Sequence, residues 1–87
     1  MYYVYVLKHP KKDVFYYGYT ANLKRRFEEH QNLFKHKNWI LVYYEAYRSE
    51  QDARKRERML KYYGAARGHL IVRIQNSINF LDVESAG

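Results

Sequence analysis

Apolar residues along this chain follow two patterns, continuous runs and longer stretches with helical spacing. The runs at residues 2–7, 14–19 and 39–47 predict three strands, because they are rich in tyrosine, valine and isoleucine. The turn sequence HPKKD between the first two runs predicts an antiparallel hairpin. If that hairpin is symmetric about its turn, Tyr5 lies opposite Tyr16, and both side chains point to one face of the sheet.

The segment after the hairpin has the spacing of an amphipathic helix. In TANLKRRFEEHQ, Leu23 and Phe27 are four residues apart, and His30 falls on the same side of the predicted helix. The polar residues that can cap its start are Thr20 and Asn22. Residues 32–38 are polar and basic and predict a loop before the third strand.

Two further helices are predicted after the third strand. The sequence SEQD (49–52) is a capping box with aspartate in its third position, and it predicts a long helix that Gly64 stops after Tyr63. The stretch ARGHLIVRIQNSI predicts a third helix. Its expected buried stripe consists of Leu70, Ile71, Ile74 and Ile78.

The order of elements is therefore ββαβαα. It predicts an α/β (α+β) fold with a three-stranded, mainly antiparallel sheet flanked by helices. We expect a single domain over residues 1–81 and a frayed tail over residues 82–87, which are small and acidic. The chain has no cysteine, and its four histidines lack zinc-finger spacing, so its stability must come from a packed core.

Charge points to a polyanionic partner. The net charge of +7 comes from basic residues spread along nearly the whole chain, which favours nucleic acid ahead of an anionic membrane. No apolar run approaches the ~18 residues of a membrane span. The start of the chain has neither the charged nor the apolar region of a signal peptide, so we expect a cytoplasmic protein without a membrane partner.

Glu57 is a polar residue at a position that faces the core. It shares one stripe of its helix with Ala53 and Leu60, at spacings of four and three residues. A carboxylate at such a position is costly unless a charged group meets it. The alternative is that the stripe lies at the edge of the core and Glu57 pairs with Lys61, one turn further on.

The first helix repeats this pattern with Arg26 and His30, which are four residues apart beside the apolar stripe. The alternative is a solvated edge, with Arg26 paired to Glu29 and His30 capping the end of the helix. Tyr5 and Tyr16 have a similar alternative, because bulky sheet residues can reach water or one another with their hydroxyls.

These residues occur in an order that resembles the GIY-YIG nuclease family. Its first motif, Gly-Ile-Tyr, corresponds to Tyr3-Val4-Tyr5, and its second motif, Tyr-Ile-Gly, corresponds to Tyr16-Tyr17-Gly18. The family then has a helix with an arginine and, four residues later, a histidine, as at Arg26 and His30. A later helix of the form Ala-x-x-Arg-Glu-x-x-Leu-Lys carries the metal-binding glutamate. The matching segment here is ARKRERMLK, with Ala53, Arg56, Glu57, Leu60 and Lys61 at those positions.

The resemblance covers residues 2–61 and extends toward residue 78, and it is greatest to the small stand-alone branch of the family. Tyr3 replaces the glycine of the first motif, and Tyr17 replaces the isoleucine of the second. Tyr19 stands where excision-repair members have a lysine near the catalytic phenol. Some members also have an asparagine after the glutamate, for which Asn76 is the nearest candidate.

The resemblance implies hydrolysis of a phosphodiester with one divalent ion, Mg²⁺ with Mn²⁺ as a substitute. Glu57 would be the metal ligand, since Mg²⁺ prefers hard oxygens and keeps much of its water. Arg26 would offer its planar fork to the phosphate. Tyr16 would be the general base. A free phenol titrates near ~10, so it needs nearby positive charge, which Arg26 can supply.

Two further roles follow from the same resemblance. Tyr5 would hydrogen-bond Tyr16 and fix its orientation. His30 would either relay the proton of the phenol or bind the phosphate, and the sequence leaves both open. The resemblance gives a DNA endonuclease, with DNA favoured over RNA, and DNA repair or recombination as its setting. No small-molecule cofactor is expected, and a homo-oligomer remains open.

Basic residues beside this site are the candidates for contact with nucleic acid. The resemblance brings no further DNA-binding domain, so we expect weak, structure-directed or non-specific binding that declines as salt rises. The residues are Lys24, Arg25, Arg54, Lys55 and Arg58. Their alternative interpretation is solvated surface charge. The whole chain also has two alternatives, a non-catalytic module that stacks bases on its tyrosines and an interaction protein whose tyrosine surface pairs with a partner.

Overall fold

The computed structural model describes residues 1–86, together with all of their side chains except those of residue 34 and residues 81–86. Three strands form one sheet, β1 (Tyr2–Lys8), β2 (Phe15–Thr20) and β3 (Ile40–Tyr47). The helices are α1 (Leu23–Asn32), α2 (Glu50–Tyr62), α3 (Gly64–Arg73) and α4 (Gln75–Ala86), with a 3-10 turn at Phe34–His36. The predicted α/β fold with a three-stranded antiparallel sheet is therefore confirmed.

Strand β1 lies in the middle of the sheet, between β2 and β3, and both pairings are antiparallel. Tyr5 lies opposite Gly18, and Tyr16 lies opposite Leu7. The predicted pairing of Tyr5 with Tyr16 was wrong by two residues. The loop at residues 9–14 sets the register, since His9 N–H donates to Val14 O at 2.9 Å across its base. A shift of two residues leaves every side chain on its original face, so the two tyrosines remain diagonal neighbours.

The two faces of the sheet have different neighbours. Val4, Val6 and Tyr17 point to the main core, where they pack with residues of α2, α3 and α4. The buried residues of those helices and of the junction between α3 and α4 are Ala53, Leu60, Leu70, Ile74 and Ile78. Alternate residues of the central strand point to the opposite face, where α1 covers Tyr5.

The helix caps follow from short polar side chains. Asn22 caps α1, because its Oδ1 accepts a hydrogen bond from Arg25 N at 3.0 Å. Ser49 caps α2 in the same way, with Asp52 N as the donor at 3.5 Å. The sequence predicted that Gly64 stops α2. This prediction was wrong, because Gly64 does not adopt a left-handed conformation. Tyr63 is the extended residue between the two helices, and Gly64 is the first residue of α3.

The predicted last helix is two helices in the structure. Leu70, Ile74 and Ile78 are buried as expected, and Ile71 packs against the core at partial exposure. The chain leaves helical geometry at Ile74, the C-cap of α3. Helix α4 runs to Ala86, and the division into a domain over residues 1–81 and a tail over residues 82–87 stays a prediction, with Gly87 outside the described residues.

The segment predicted as a polar loop contains a buried residue. Residues 34–36 form a 3-10 turn, and the side chain of His36 is only 5% exposed. It lies under the sheet face that α1 covers, beside His30 and Tyr16. The loop prediction was wrong here because tertiary packing, rather than local polarity, decides where this histidine lies.

A hydrogen-bonded carboxylate ties α2 to β3. Glu45 accepts hydrogen bonds from the hydroxyls of Tyr43 at 2.6 Å and Tyr47 at 2.5 Å, and Arg56 Nε lies 2.9 Å from the same carboxylate. Burial raises the pKa of Glu45, but these hydrogen bonds and the charge of Arg56 outweigh it, and the net pKa is lowered. This network positions the helix that carries Glu57. No helix within residues 1–86 is long and apolar enough to span a membrane.

Candidate active site

The hydroxyl of Tyr5 lies 2.7 Å from Nε2 of His30, in the interior between β1 and α1. Both side chains are 1% exposed. Burial is the largest cause that raises the pKa of Tyr5 to about 12, while Arg26 opposes it and Tyr16 adds to it. Tyr5 therefore keeps its proton at neutral pH, which makes it a hydrogen-bond donor rather than a base.

Tyr16 completes an aromatic cluster around this hydrogen bond. Its ring centroid lies 6.2 Å from that of Tyr5, 5.0 Å from that of His30 and 4.7 Å from that of His36. Strand β2 is an edge strand of the sheet. Tyr16 is therefore the member of the cluster that lies nearest the open edge, and it is half-buried.

Arg26 brings a permanent positive charge to the two phenols. Hydrogen bonding to Tyr5 is the largest cause that raises the pKa of Arg26, and hydrogen bonding to Tyr16 adds to it. A nitrogen of the same guanidinium also lies 3.2 Å from Glu29 Oε2. This pair with Glu29 was the alternative expected from the sequence, and it coexists with the phenol contacts. Because the pair is exposed, it contributes little to stability.

Glu57 approaches the cluster from the other side of strand β2. Its helix packs on the core face through Ala53 and Leu60, which are fully buried, whereas the side chain of Glu57 is 21% exposed. Lys61 Nζ lies 3.7 Å from Glu57 Oε1 and 5.8 Å from the ring centroid of Tyr16. Lys61 therefore connects the carboxylate to the phenol around the sheet edge.

The five predicted catalytic residues thus fall into two groups. The rings of Tyr5, Tyr16 and His30 pack against one another, and the charge of Arg26 lies close enough to affect the pKa values of Tyr5 and His30. Glu57 forms no recorded hydrogen bond or ion pair with these four among residues 1–86, and its link to Tyr16 runs through Lys61. The pairing of Glu57 with Lys61, the alternative expected from the sequence, is present, and the place of Glu57 in the site stays a prediction.

Sequence reasoning missed His36. Its Nδ1 lies 2.9 Å from Nδ1 of His30, so the proposed helix-capping alternative for His30 was wrong. The two nitrogens of the His30 ring have Tyr5 and His36 as partners. The backbone carbonyl of His30, in the last turn of α1, accepts a hydrogen bond from Leu33 N–H. Trp39 packs against His36 at 5.0 Å between ring centroids. A histidine and a tryptophan three residues apart in an otherwise polar stretch were the one available signal.

The predicted nucleic-acid contacts are exposed and lie on two helices. Arg25 pairs with Glu29 at 3.4 Å, and Arg54 pairs with Glu50 at 3.3 Å while its guanidinium lies 4.6 Å above the Tyr19 ring. Lys24, on α1, lines a groove of about 470 Å³ beside Tyr3 and Tyr44. The remaining two residues, Lys55 and Arg58, line a shallow basic groove on α2.

Comparison with known protein families gave a match that covers the three strands and helices α1 and α2. The model of the GIY-YIG catalytic domain matches residues 1–68 of the 87. The chain belongs to the GIY-YIG family. Comparison with curated proteins gave no match, and comparison with solved structures gave none either.

Membership in the GIY-YIG family makes the chain a member of a nuclease family, whose substrates are nucleic acids and whose reaction is phosphodiester hydrolysis. Nucleases of this family generally depend on a divalent metal. Among the residues whose side chains the structure describes, 1–33 and 35–80, no group of three or more metal-ligating side chains of histidine, cysteine, aspartate or glutamate is assembled.

The departures from the GIY-YIG pattern leave the cluster intact. Tyr3 pairs with Thr20 in regular register, two residues from Tyr5. Tyr19 donates a hydrogen bond to Glu50 Oε2 at 3.0 Å, on the face of the sheet opposite to Tyr16. Asn76 lines a groove of about 430 Å³ between β3 and α4, with Ile40, Leu41 and Val42.

Proposed function

We propose that this chain hydrolyses phosphodiester bonds in DNA with the help of a divalent cation, with weak or structure-directed specificity. The observation that carries the proposal is the position of Lys61. Its ammonium lies between the carboxylate of Glu57 and the ring of Tyr16, so the metal-ligand candidate and the base candidate border one exposed edge.

Tyr16 is the residue we assign as general base. Tyr5 is buried and hydrogen-bonded to His30, whereas Tyr16 is half-buried on the edge strand β2, so Tyr16 is the phenol that an attacking water can reach. A neutral phenol can accept that proton only as its own proton leaves, so negative charge builds up on its oxygen. The positive charges of Lys61, 5.8 Å from the centroid of the Tyr16 ring, and of Arg26, whose pKa Tyr16 raises, stabilise that charge.

Arg26 is the residue we assign to the phosphate. Its exposed pair with Glu29 is weak, so a phosphate can replace Glu29 as the partner of the guanidinium. The planar fork can then donate two parallel hydrogen bonds as charge develops on the phosphate oxygens. Tyr5 and His30 hold the other side of the site in place, since they are buried and hydrogen-bonded.

Glu57 is the residue that would hold the cation. Its carboxylate is a hard oxygen donor, and Lys61 at 3.7 Å is too distant for a hydrogen bond. The lone pairs are therefore open to a hydrated Mg²⁺, or to Mn²⁺ in its place, which needs one or two carboxylates besides water and phosphate oxygens. When bound, such an ion neutralises charge on the scissile phosphate and stabilises the leaving oxygen.

Burial removes two tyrosines from the binding-module alternative, whereas Tyr44 on β3 remains exposed. Tyr5 is 1% exposed, and Tyr16 packs against two histidine rings, so neither offers a free ring face to an unpaired base. The exposed basic residues Arg54, Lys55 and Arg58 are the ones we assign to phosphate contacts, which position a strand without reading its bases.

A cleavage assay over supercoiled, branched, nicked and single-stranded DNA and over RNA tests the proposal. We expect the wild type to cut with Mg²⁺ or Mn²⁺ and to stop when the metal is chelated. Glu57→Ala should abolish cutting and retain most of the binding. Glu28→Ala is the matched control, because it removes one carboxylate from an exposed position outside the site. A wild type that binds every substrate and cuts none would establish the binding module instead.

A further inference from the structure

The hydrogen-bond chain that includes Tyr5 and His30 continues to a second buried histidine. Tyr5 Oη lies 2.7 Å from His30 Nε2, and His30 Nδ1 lies 2.9 Å from His36 Nδ1. Three side chains from β1, α1 and the 3-10 turn are therefore connected in series. Such a series is more than packing requires, since each buried polar group is costly unless its partner is supplied.

We propose that His36 is the outer end of a proton pathway that carries the proton of the attacking water from Tyr16 through Tyr5 and His30 to solvent. The proposal rests on the proposed hydrolytic function, because it concerns the fate of the proton that Tyr16 removes. It assigns His30 to proton relay rather than to phosphate binding.

The proposed pathway fixes the direction of each hydrogen bond. The bond between Tyr5 Oη and His30 Nε2 can run in either direction, according to the tautomer of His30, and the pathway requires Tyr5 as its donor. The single proton of Tyr5 is then directed to Nε2 of His30, which must be unprotonated there. A neutral imidazole carries one proton, which lies on Nδ1 and is donated to Nδ1 of His36. The proton of neutral His36 is consequently on Nε2.

The outer nitrogen of His36 has an exit. Within residues 1–33 and 35–80, no fully buried side-chain nitrogen or oxygen lacks a hydrogen-bond partner. His36 Nε2 forms no hydrogen bond with these residues, and the side chain is 5% exposed, so this nitrogen is the end of the series from which the proposed pathway leads to solvent. The ring itself is fixed by Trp39 on one side and Tyr16 on another.

The transfer balances because every group on the path gains one proton and loses one. The oxygen of Tyr16 takes a proton from water and passes its own to Tyr5, and Tyr5 passes its proton to His30 Nε2. The first transfer requires the two hydroxyls to come within hydrogen-bond distance, since the rings of Tyr5 and Tyr16 pack with centroids 6.2 Å apart and their hydroxyls are not hydrogen-bonded in this structure. The Nδ1 proton of His30 moves to His36 Nδ1, and the Nε2 proton of His36 moves to solvent. The water has become the hydroxide that attacks phosphorus, and no residue ends with an added charge.

The environment of the two rings suits a relay that never holds a full positive charge. Burial is the largest cause that lowers the pKa of His30 to about 4, and the charges of Arg26 and His36 lower it further against the opposing effect of Glu29. Burial, Lys35 and Arg26 lower the pKa of His36. The doubly protonated, positively charged form of either ring is therefore disfavoured. A ring that releases one proton as it accepts another stays neutral and avoids that cost.

The test combines a readout without substrate and one with substrate. Long-range ¹H–¹⁵N NMR of the wild type should show His30 protonated on Nδ1 and His36 protonated on Nε2. His36→Phe keeps a ring of similar size and removes both nitrogens. It should lower the single-turnover cleavage rate by about 10- to 100-fold with unchanged DNA affinity. His69→Phe is the control, because His69 is exposed on α3.

Rescue separates relay from packing. Imidazole in the buffer should restore part of the rate of His36→Ala, and it should not change the rate of the wild type. Thermal unfolding checks that each variant folds, and His36→Gln replaces any variant that does not. A His30 proton on Nε2, or His36→Phe cutting at the wild-type rate, overturns the pathway while the nuclease proposal stands. A wild type that cuts no substrate overturns the proposed function and the pathway with it.

Discussion

Gly18 lies directly opposite Tyr5 across the first two strands, and the ring of Tyr5 fills the space that a side chain at Gly18 would need. A Cβ built on Gly18 overlaps the phenol ring. The glycine that ends the second motif is therefore required by the close approach of Tyr5 rather than by an unusual backbone angle, since no glycine among residues 1–86 has positive φ. This close contact holds the Tyr5 hydroxyl against His30.

The first prediction concerns this contact. Gly18→Ala forces the Tyr5 ring to move, so we expect a loss of about 1–3 kcal/mol in the free energy of unfolding, together with reduced cleavage. Urea unfolding measures the first effect. Gly68→Ala is the matched control, because nothing lies within 4 Å of a Cβ there. Gly68 is inside α3, so that variant should gain about 0.5–1 kcal/mol. Equal stability of the two variants would contradict the account.

The second prediction concerns the pH dependence of stability. The pKa of His30 in the folded protein is about 4, against 6.5 for the ordinary side chain. Between these values the unfolded chain binds a proton that the folded protein does not, so stability is full above pH 6.5 and falls as pH is lowered toward 4. The full effect of His30 is on the order of 3 kcal/mol.

Urea unfolding from pH 7.5 to pH 4.5 measures this effect. We expect the loss of unfolding free energy over that range to be smaller in His30→Gln than in the wild type. His69→Gln should behave as the wild type, because His69 lies exposed on α3. A wild type and a His30→Gln variant with parallel pH profiles would show that burial of His30 does not affect protonation.

Much of the fold could be predicted from the sequence because the strands are apolar runs and the helices carry clear caps. Ser49 and Asn22 cap as expected, and the buried stripe on the last helices contains Leu70. The register could not be predicted, since it depends on the hydrogen bond that closes the loop between His9 and Val14. Sequence alone assigns that loop a length but not a geometry.

The candidate site was predictable where a motif fixed the residue and not where tertiary packing did. His30 stood out because a histidine at a core-facing helix position needs a partner. His36 did not, because its local sequence is polar and its burial depends on Tyr16 and Trp39. Lys61 was expected to pair with Glu57, but its position over Tyr16 depends on how α2 crosses the edge of the sheet.

The third prediction concerns the salt dependence of binding. Lys55 and Arg58 line a basic groove on α2, and we expect both to contact phosphates. The double variant Lys55→Gln/Arg58→Gln should lower the slope of log affinity against log salt by about 0.9 per lost contact on duplex DNA. Fluorescence anisotropy from 50 to 300 mM salt, at about five concentrations, measures that slope.

A matched control separates local contact from total charge. Lys11→Gln/Lys12→Gln removes the same charge from the exposed turn between the first two strands, outside the proposed groove. It should leave the slope within error of the wild type. If both double variants lower the slope equally, the binding depends on net charge, and Lys55 and Arg58 have no special place in it.

The role of Tyr16 as base is the central claim of this account, and single-turnover cleavage by Tyr16→Phe tests it most directly. The substitution removes one oxygen and keeps the ring that packs on His30 and His36. We predict a rate at least about 100-fold below the wild type, with DNA affinity unchanged and Tyr62→Phe, at an exposed position, as active as the wild type. Tyr16→Phe cutting at the rate of the wild type would contradict the claim.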